Sequence, residues 1–107
     1  MAGGPYHIEY AQDARDDLRW FTDTRRVRYA AMVRDAVEAH LRHEPTNPVG
    51  RRKAAAPNSL GAWRLRADPL RVYYDVSEER RTVYVRAVIY KERNRTYRRG
   101  QEIDTRE

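Results

Sequence analysis

The stretch LGAWRLRADPLRVYYDV, residues 60–76, predicts two β-strands joined by a tight turn. The first strand covers residues 60–66 and the second covers residues 70–76, with the turn at ADP between them. Because side chains alternate between the two faces of a strand, the hairpin separates into two sets. The apolar set is Trp63, Leu65, Val72, Tyr74 and Val76. The opposite set is Arg64, Arg66, Arg71, Tyr73 and Asp75.

A third strand is predicted at residues 82–90, after the acidic turn SEER. Its core side is expected to be Val83, Val85, Ala87 and Ile89. Its other side is expected to be Tyr84, Arg86, Val88 and Tyr90. The three strands together predict one face that packs in a core and one open face that carries four arginines and three tyrosines.

The residues before the hairpin predict one strand and two helices. PYHIEY, residues 5–10, alternates like a strand, and Asp13 can cap the helix that follows. The apolar stripe of that helix is Ala14, Leu18 and Phe21. A second helix is predicted at residues 25–42, and its buried side is Val27, Ala30, Val33, Val37 and Leu41. The order β-α-α-β-β-β predicts an α+β fold, an antiparallel sheet with two helices packed on one face and a basic open face.

The composition suits one small globular domain that spans residues 1–107. The chain contains no cysteine, so it has no disulfide framework, and this fits the reducing cytoplasm. No apolar run reaches the roughly 18 residues that a membrane span needs. The opening residues MAGGPY lack the apolar core of a secretion signal. We therefore expect a cytoplasmic protein with no membrane partner.

The net charge of +6 is unevenly distributed. Residues 1–48 have 7 basic and 8 acidic side chains, a net charge of −1. Residues 49–107 have 15 basic and 8 acidic side chains, a net charge of +7. This asymmetry favours a polyanionic partner. A solvated, arginine-rich surface that only maintains solubility is the alternative.

Two segments of the basic half are predicted to be irregular, a Pro/Asn-rich loop at residues 46–59 and a basic tail at residues 91–107. The loop contains the triplet RRK, which fits either a phosphate contact or an ordinary solvated loop. Arginine interleaved with tyrosine is typical of single-stranded RNA binding, in which guanidinium groups bind phosphates and rings stack on bases. The candidate RNA-binding residues are Arg51, Arg52, Lys53, Arg66, Arg86 and Arg93.

The pattern GAWRLRADPLRVYYDV, followed by an acidic turn, the strand TVYVRAVIY and then KERNRTY, resembles the RelE/ParE superfamily of toxins from bacterial toxin–antitoxin systems. The opening YHIEYAQDARDDLRWF is similar to the first strand and helix of that family, so the resemblance extends from about residue 6 to residue 103. RelE-like members cleave mRNA, usually at the ribosome, whereas ParE-like members poison DNA gyrase. Because most positions of the nuclease set are filled, the chain is closer to the RelE-like branch.

The resemblance implies a catalytic set of Arg71, Lys91, Tyr97 and Arg64. Lys91 stands where an arginine is usual, and Ala62 stands where the family has a basic residue. The implied activity is that of an endoribonuclease without a metal or other cofactor. The neighbouring 2′-hydroxyl attacks the phosphate, and cleavage leaves a 2′,3′-cyclic phosphate. Because this cleavage destroys mRNA, it inhibits translation. The implied partners are an acidic antitoxin that wraps the basic face, and mRNA together with the ribosome.

Several alternatives stay open from the sequence. Arg71 could form a salt bridge with Asp75, and Tyr97 could anchor the tail on the sheet. His40 and His43 lie one helical turn apart, but no third ligand suggests a metal site. The protein as a whole could be a ParE-like gyrase inhibitor, or a catalytically decayed module that binds RNA or an antitoxin.

Overall fold

The computed structural model describes residues 4–57 and 59–104 of the 107-residue chain. Residues 1–3, 58 and 105–107, which the predicted domain, loop and tail include, lie outside the described residues. The helices are α1 (Gln12–Asp23) and α2 (Val27–Leu41). The strands are β1 (His7–Tyr10), β2 (Arg52–Ala54), β3 (Trp63–Ala67), β4 (Leu70–Ser77), β5 (Thr82–Glu92), β6 (Arg95–Arg98) and β7 (Gln101–Ile103).

All of these strands belong to one sheet, in the spatial order β2-β3-β4-β5-β6-β7, with β1 paired to β5. β1 runs parallel to the first half of β5, with His7 opposite Thr82, and every other pair is antiparallel. β6 pairs with the last residues of β5, with Tyr97 opposite Tyr90. The predicted α+β fold and its β-α-α-β-β-β order are confirmed, and β2, β6 and β7 extend the sheet.

Both helices pack on one face of the sheet because each has apolar side chains three or four residues apart. The main core contains, from the helices, Ala14, Leu18, Phe21, Ala30, Val33, Val37 and Leu41. From the sheet it contains Leu65, Ala67, Leu70, Val72, Tyr74, Val83, Val85, Val88 and Tyr90. The prediction that Val27 is buried was wrong, because Val27 is the first residue of α2 and is 58% exposed there.

An irregularity in β5 reverses the predicted alternation of its side chains. Tyr74 pairs with Val85 whereas Tyr73 pairs with Ala87, so Arg86 is an extra residue that bulges out of the register. Beyond this bulge, Val88 and Tyr90 face the helices and Ala87 and Ile89 face the other way. The predicted faces of these four residues were therefore wrong, because one extra residue exchanges the two sides of a strand.

The sheet face away from the helices, here called the outer face, carries a second apolar cluster. Tyr73, Ala87 and Ile89 are each about 1% exposed there. The side chains that pack over them are Ala55, Leu60 and Ile103, from the segment after β2 and from β7. The centre of the predicted open face is therefore covered.

Two segments that were predicted to be irregular contain strands. Within residues 46–59, β2 pairs with β3 along the edge of the sheet. Within residues 91–107, β6 and β7 form a hairpin whose turn contains Arg99 and Gly100, both with positive φ. Edge strands tolerate many charged side chains because much of their surface is solvated. Neither helix of the described ranges is long and apolar enough to cross a bilayer.

Candidate nucleic-acid interface

Four basic side chains lie side by side on the outer face because of the strand register. Arg64 and Arg66 of β3 lie opposite Tyr73 and Arg71 of β4, and Lys53 of β2 lies opposite Arg64. Directly opposed residues project from the same face of a sheet. These residues therefore share the face that carries Tyr73. We call Lys53, Arg64, Arg66 and Arg71 the basic row.

A carboxylate in the β3–β4 turn bridges two members of the basic row. Arg66 and Arg71 are direct cross-strand neighbours, so their like charges repel. Asp68 Oδ2 lies 2.9 Å from both Nε and Nη2 of Arg66, and Asp68 Oδ1 accepts a hydrogen bond of 2.8 Å from Arg71 Nη1. The hydrogen bonds from Arg66 and then from Arg71 lower the pKa of the Asp68 carboxyl. The carboxylate therefore offsets the repulsion, and we call this arrangement the Asp68 bridge.

Arg71 is the most enclosed member of the Asp68 bridge. Its side chain is 11% exposed, and its Nη1 also donates to the backbone oxygen of Leu70 at 2.9 Å. Its Nε is buried and has no hydrogen-bond partner among the described residues. A buried donor without a partner costs about 1–3 kcal/mol, so a ligand oxygen that reached this atom would relieve that cost. The salt bridge to Asp75 that the sequence left open is replaced by the pair with Asp68.

Lys91 lies at the same end of the sheet as the Asp68 bridge. Its backbone N–H donates to the backbone oxygen of Pro69, in the β3–β4 turn, at 2.8 Å. It follows Ile89 by two residues, so its exposed side chain projects on the outer-face side. The structure thus brings Lys91 and Arg71 of the predicted catalytic set to one region, with Arg64 further along the basic row.

Tyr97 does not join this group. It lies opposite Tyr90, and the two rings stack with centroids 5.4 Å apart and planes 19° apart. Trp20 of α1 stacks on Tyr90 at 5.8 Å, and Tyr97 packs against the main core. The Tyr97 ring is therefore on the helix side of the sheet, opposite to Arg71, where it anchors β6 on β5. A catalytic role for Tyr97 stays a prediction.

Arg86 and Arg93 lie away from the Asp68 bridge. Arg86, at the β5 bulge, has its Nη1 3.6 Å from Asp75 Oδ2. Asp75 Oδ1 also accepts a hydrogen bond of 2.8 Å from the backbone N–H of Ala62. Arg93 is exposed in the β5–β6 turn, with a positive φ of 52°. Both arginines are accessible to a ligand, but neither touches the Asp68 bridge.

The RRK triplet separates onto two faces because it forms β2. Arg52 lies opposite the buried Leu65, so it points to the helix side, where its guanidinium donates to the backbone oxygens of Asn47 and His40. Arg52 thus binds the C-terminal turn of α2. Arg51 is exposed, with its Nη1 3.4 Å from the backbone oxygen of Arg66. Lys53 is the exposed first member of the basic row.

Sequence reasoning missed a second carboxylate that binds two arginines. Asp17 of α1 is 1% exposed and accepts hydrogen bonds from Arg98 Nε at 3.0 Å and from Arg99 Nε at 2.6 Å. Its Oδ2 also accepts the backbone N–H of Val88 at 2.8 Å. We call Asp17, Arg98 and Arg99 the Asp17 cluster. A signal existed, because Asp17 lies on the buried side of α1, three residues after Ala14.

The Asp17 cluster fills a gap in the ladder of β5. β1 pairs with residues 82–85 and β6 pairs with residues 90–92 along the same edge of β5. Val88 lies between these two stretches, and its backbone N–H is satisfied by Asp17 instead of by a strand. The cluster therefore joins α1, β5 and the β6–β7 hairpin.

The histidines do not assemble a metal site in the described part of the chain, which has no group of three or more His, Cys, Asp or Glu side chains suited to a metal ion. Burial, and then the positive charges of Arg51 and Arg52, lower the pKa of His40. His43 is exposed. The candidate chemistry thus rests on guanidinium and ammonium groups, which bind phosphate oxygens.

Comparison with known proteins identifies the fold. No protein-family model matches the sequence, and a search of curated proteins finds no match. Among solved structures, a chain of the RelBE2 toxin–antitoxin complex from Mycobacterium tuberculosis is similar, with a TM-score of 0.68. The alignment covers 84% of this chain and 95% of that chain, at 23% sequence identity. This chain therefore has the same fold as that chain of the toxin–antitoxin complex.

Proposed function

We propose that this chain is the toxin of a type II toxin–antitoxin system and an endoribonuclease that cleaves mRNA in the cytoplasm, at the ribosome, so that translation stops. The observation that carries the proposal is the guanidinium pair of Arg66 and Arg71 on a RelE-like fold. Two adjacent guanidinium groups fit the oxygens of a phosphodiester. The net charge of +7 over residues 49–107 supports an RNA partner.

In the proposed reaction, the 2′-hydroxyl attacks the adjacent phosphorus, and the 5′-oxygen of the next nucleotide leaves. Arg71 stabilises the extra negative charge of the phosphorane, because arginine stays protonated and serves as a charge partner. Arg64 and Arg66 bind the neighbouring phosphates. Lys91 is our candidate for the group that takes the proton of the 2′-hydroxyl, since its amine belongs to the same end of the sheet as Arg71, and the leaving 5′-oxygen takes a proton from water.

We further propose that an acidic antitoxin covers the basic row. The similar chain from Mycobacterium tuberculosis comes from a toxin–antitoxin complex, and charge complementarity favours the same kind of partner here. An antitoxin bound over Arg66 and Arg71 would exclude RNA from the same guanidinium groups.

A second candidate is a module that binds RNA or an antitoxin but no longer cleaves RNA. Two observations favour it. Tyr97 stacks on Tyr90 on the helix side of the sheet, and Asp68 binds the guanidinium group of Arg71. Such a module would keep the affinity of the basic row for phosphates without a complete catalytic group.

The test is to induce the chain alone in bacteria and to map RNA ends, growth and gyrase–DNA cleavage complexes in the same cultures. The variants are Arg71→Ala, Lys91→Ala and Tyr97→Phe, with Arg19→Ala as control because Arg19 is an exposed arginine of α1. We expect new RNA ends with a 2′,3′-cyclic phosphate from the wild type and from Arg19→Ala. Arg71→Ala should lose at least about 100-fold in cleavage if it stabilises the phosphorane.

Other outcomes separate the candidates. Full toxicity of folded Arg71→Ala and Lys91→Ala would refute the nuclease assignment, and full toxicity of Tyr97→Phe alone would remove Tyr97 from the catalytic set. Intact RNA with salt-dependent RNA binding would favour the non-cleaving module. Accumulated gyrase–DNA complexes with intact mRNA would identify a gyrase inhibitor.

A further inference from the structure

The Asp68 bridge resembles a phosphate complex in which a carboxylate takes the place of the ligand. Two guanidinium groups that the strand register holds on opposite strands converge on the two oxygens of one anion. Arg66 presents Nε and Nη2 to Oδ2, and Arg71 presents Nη1 to Oδ1. A phosphodiester offers two non-bridging oxygens to the same kind of donors.

The bridge occupies donors that a phosphate would need. Nε and Nη2 are the edge with which Arg66 would bind a phosphate in the bidentate manner, and both point to Asp68. Arg71 is largely buried, so its accessible donors are few, and Nη1 is already bound to Asp68 and Leu70. A phosphate that binds Arg66 in the bidentate manner and Arg71 through Nη1 must therefore displace the carboxylate.

Asp68 is suited to displacement because it is held only at the surface. Its side chain is 53% exposed, and it lies in the turn between β3 and β4. Its ion pair with Arg66, whose side chain is 59% exposed, is weak because water and salt compete with it. Its ion pair with Arg71 is exposed only on the carboxylate side, and an incoming phosphate would take the place of the carboxylate there. The cost of releasing this carboxylate is small compared with the attraction of a polyanion to the whole basic row.

We propose that Asp68 is a built-in competitor for the RNA phosphate site, a carboxylate that closes the Arg66–Arg71 pair until a phosphodiester displaces it. This inference rests on the proposed function, because it assigns Arg66 and Arg71 to RNA phosphates. It adds that the Asp68 side chain lowers the affinity of the free protein for RNA.

The test is the affinity of purified variants for a short, uniformly 2′-O-methylated RNA, which retains the phosphates and cannot be cleaved through a 2′-hydroxyl. Asp68→Asn should bind about 3- to 10-fold more tightly than the wild type, since the ion pairs of Asp68 with Arg66 and Arg71 no longer compete. The slope of log affinity against log salt should steepen by roughly 0.7, because the site gains one unit of net positive charge.

The matched control is Glu38→Gln on α2. Glu38 is a similarly exposed carboxylate that binds Arg42 through two hydrogen bonds, at 2.7 and 2.9 Å, on the helical side of the molecule. This variant gains the same unit of charge and should change affinity less than about twofold. Equal tightening by Glu38→Gln and Asp68→Asn would show an effect of net charge alone and would overturn the inference.

A mutant cycle assigns the gain to the Arg66–Arg71 pair. Asp68→Asn added to Arg66→Ala/Arg71→Ala should tighten binding much less than it does in the wild type. Where Arg71→Ala weakens binding but Asp68→Asn does not strengthen it, the phosphate site stands and the competitor role is overturned. Where Arg71→Ala binds like the wild type, the phosphate site is elsewhere and both proposals fail. Asp68→Ser, another residue that suits turns, replaces Asp68→Asn if that variant does not fold.

Discussion

Two carboxylates in this molecule each bind two arginines, and their surroundings are opposite. Asp17 is 1% exposed and also binds a backbone N–H, whereas the Asp68 side chain is 53% exposed and lies in a turn. The arginines of Asp17 come from the β6–β7 hairpin, and those of Asp68 come from two adjacent strands. The same pairing of charges therefore serves tertiary packing in one region and leaves a displaceable contact in the other.

Burial decides what a carboxylate–arginine group can do. Removing one partner of a buried group leaves charges that neither water nor protein satisfies. An exposed group exchanges its partners for water or ligand at little cost. The Asp17 cluster is thus suited to hold the hairpin against α1, and the Asp68 bridge is suited to open.

We expect the greatest loss of stability from Asp17→Ala, which removes the buried carboxylate of the Asp17 cluster. The substitution leaves Arg98, Arg99 and the N–H of Val88 without their acceptor, so we expect a loss of about 3–5 kcal/mol in the free energy of unfolding. Urea unfolding followed by circular dichroism measures it. Asp16→Ala is the control, because it removes the same charge from α1, and Asp16 accepts an exposed hydrogen bond from Gln12 among the residues that the structure describes. A loss below about 1 kcal/mol for Asp17→Ala would show that the cluster does not anchor the hairpin.

Strand alternation predicted the fold because it is unbroken in β3 and β4. Leu65, Val72 and Tyr74 face the core as the sequence indicated, and the two helices cover them. The alternation failed in β5 because residues 87–90 read AVIY, four apolar side chains in succession. In such a run either alternate pair of side chains could face the core, so the sequence pattern does not indicate the bulge at Arg86.

The site was less predictable because it depends on contacts between distant residues. The resemblance predicts roles for Arg71 and Lys91, but the sequence indicates only that Asp68 lies in a turn. Its role depends on the register that sets Arg66 opposite Arg71. Tyr97 was assigned by its distance along the chain, which says nothing about the face of the sheet. The hairpin that carries Tyr97 is short and charged, and composition alone does not distinguish it from an irregular tail.

A smaller effect is expected from Gly100→Ala, which disturbs the Asp17 cluster without changing a charge. Gly100 has a φ of +81°, and a Cβ there would lie 2.9 Å from Cζ2 of Trp20. Gly50→Ala is the control, since Gly50 has a φ of +63° and, apart from its chain neighbours, no atom of the described residues lies within 4 Å of its added Cβ. Both variants bear the left-handed strain of about 1–2 kcal/mol, and only Gly100→Ala also pushes the hairpin away from α1.

We therefore expect Gly100→Ala to lose at least about 1 kcal/mol more than Gly50→Ala in urea unfolding. The fluorescence of Trp20 should change in the folded state of Gly100→Ala alone. Equal stability of the two variants would mean that the β6–β7 hairpin can move away from α1 without a loss in the free energy of unfolding, and that the Asp17 cluster tolerates this movement of the hairpin.

We expect the smallest loss of stability from Asp68→Asn, which removes the exposed carboxylate of the Asp68 bridge. Because the Asp68 carboxylate is solvated, and because the largely buried Arg71 keeps the backbone oxygen of Leu70 as an acceptor, we expect a loss of at most about 1 kcal/mol in the free energy of unfolding at neutral pH. The pKa of Asp68 is lowered by Arg66 and then by Arg71, so its contribution is present above the unfolded pKa of about 4 and disappears as pH falls through the lower folded pKa. The wild type and the variant should thus differ most at neutral pH and converge in acid, in urea unfolding at a series of pH values. A loss as large as that of Asp17→Ala would mean that the Asp68 bridge is also structural, and its carboxylate could not yield to a phosphate at low cost.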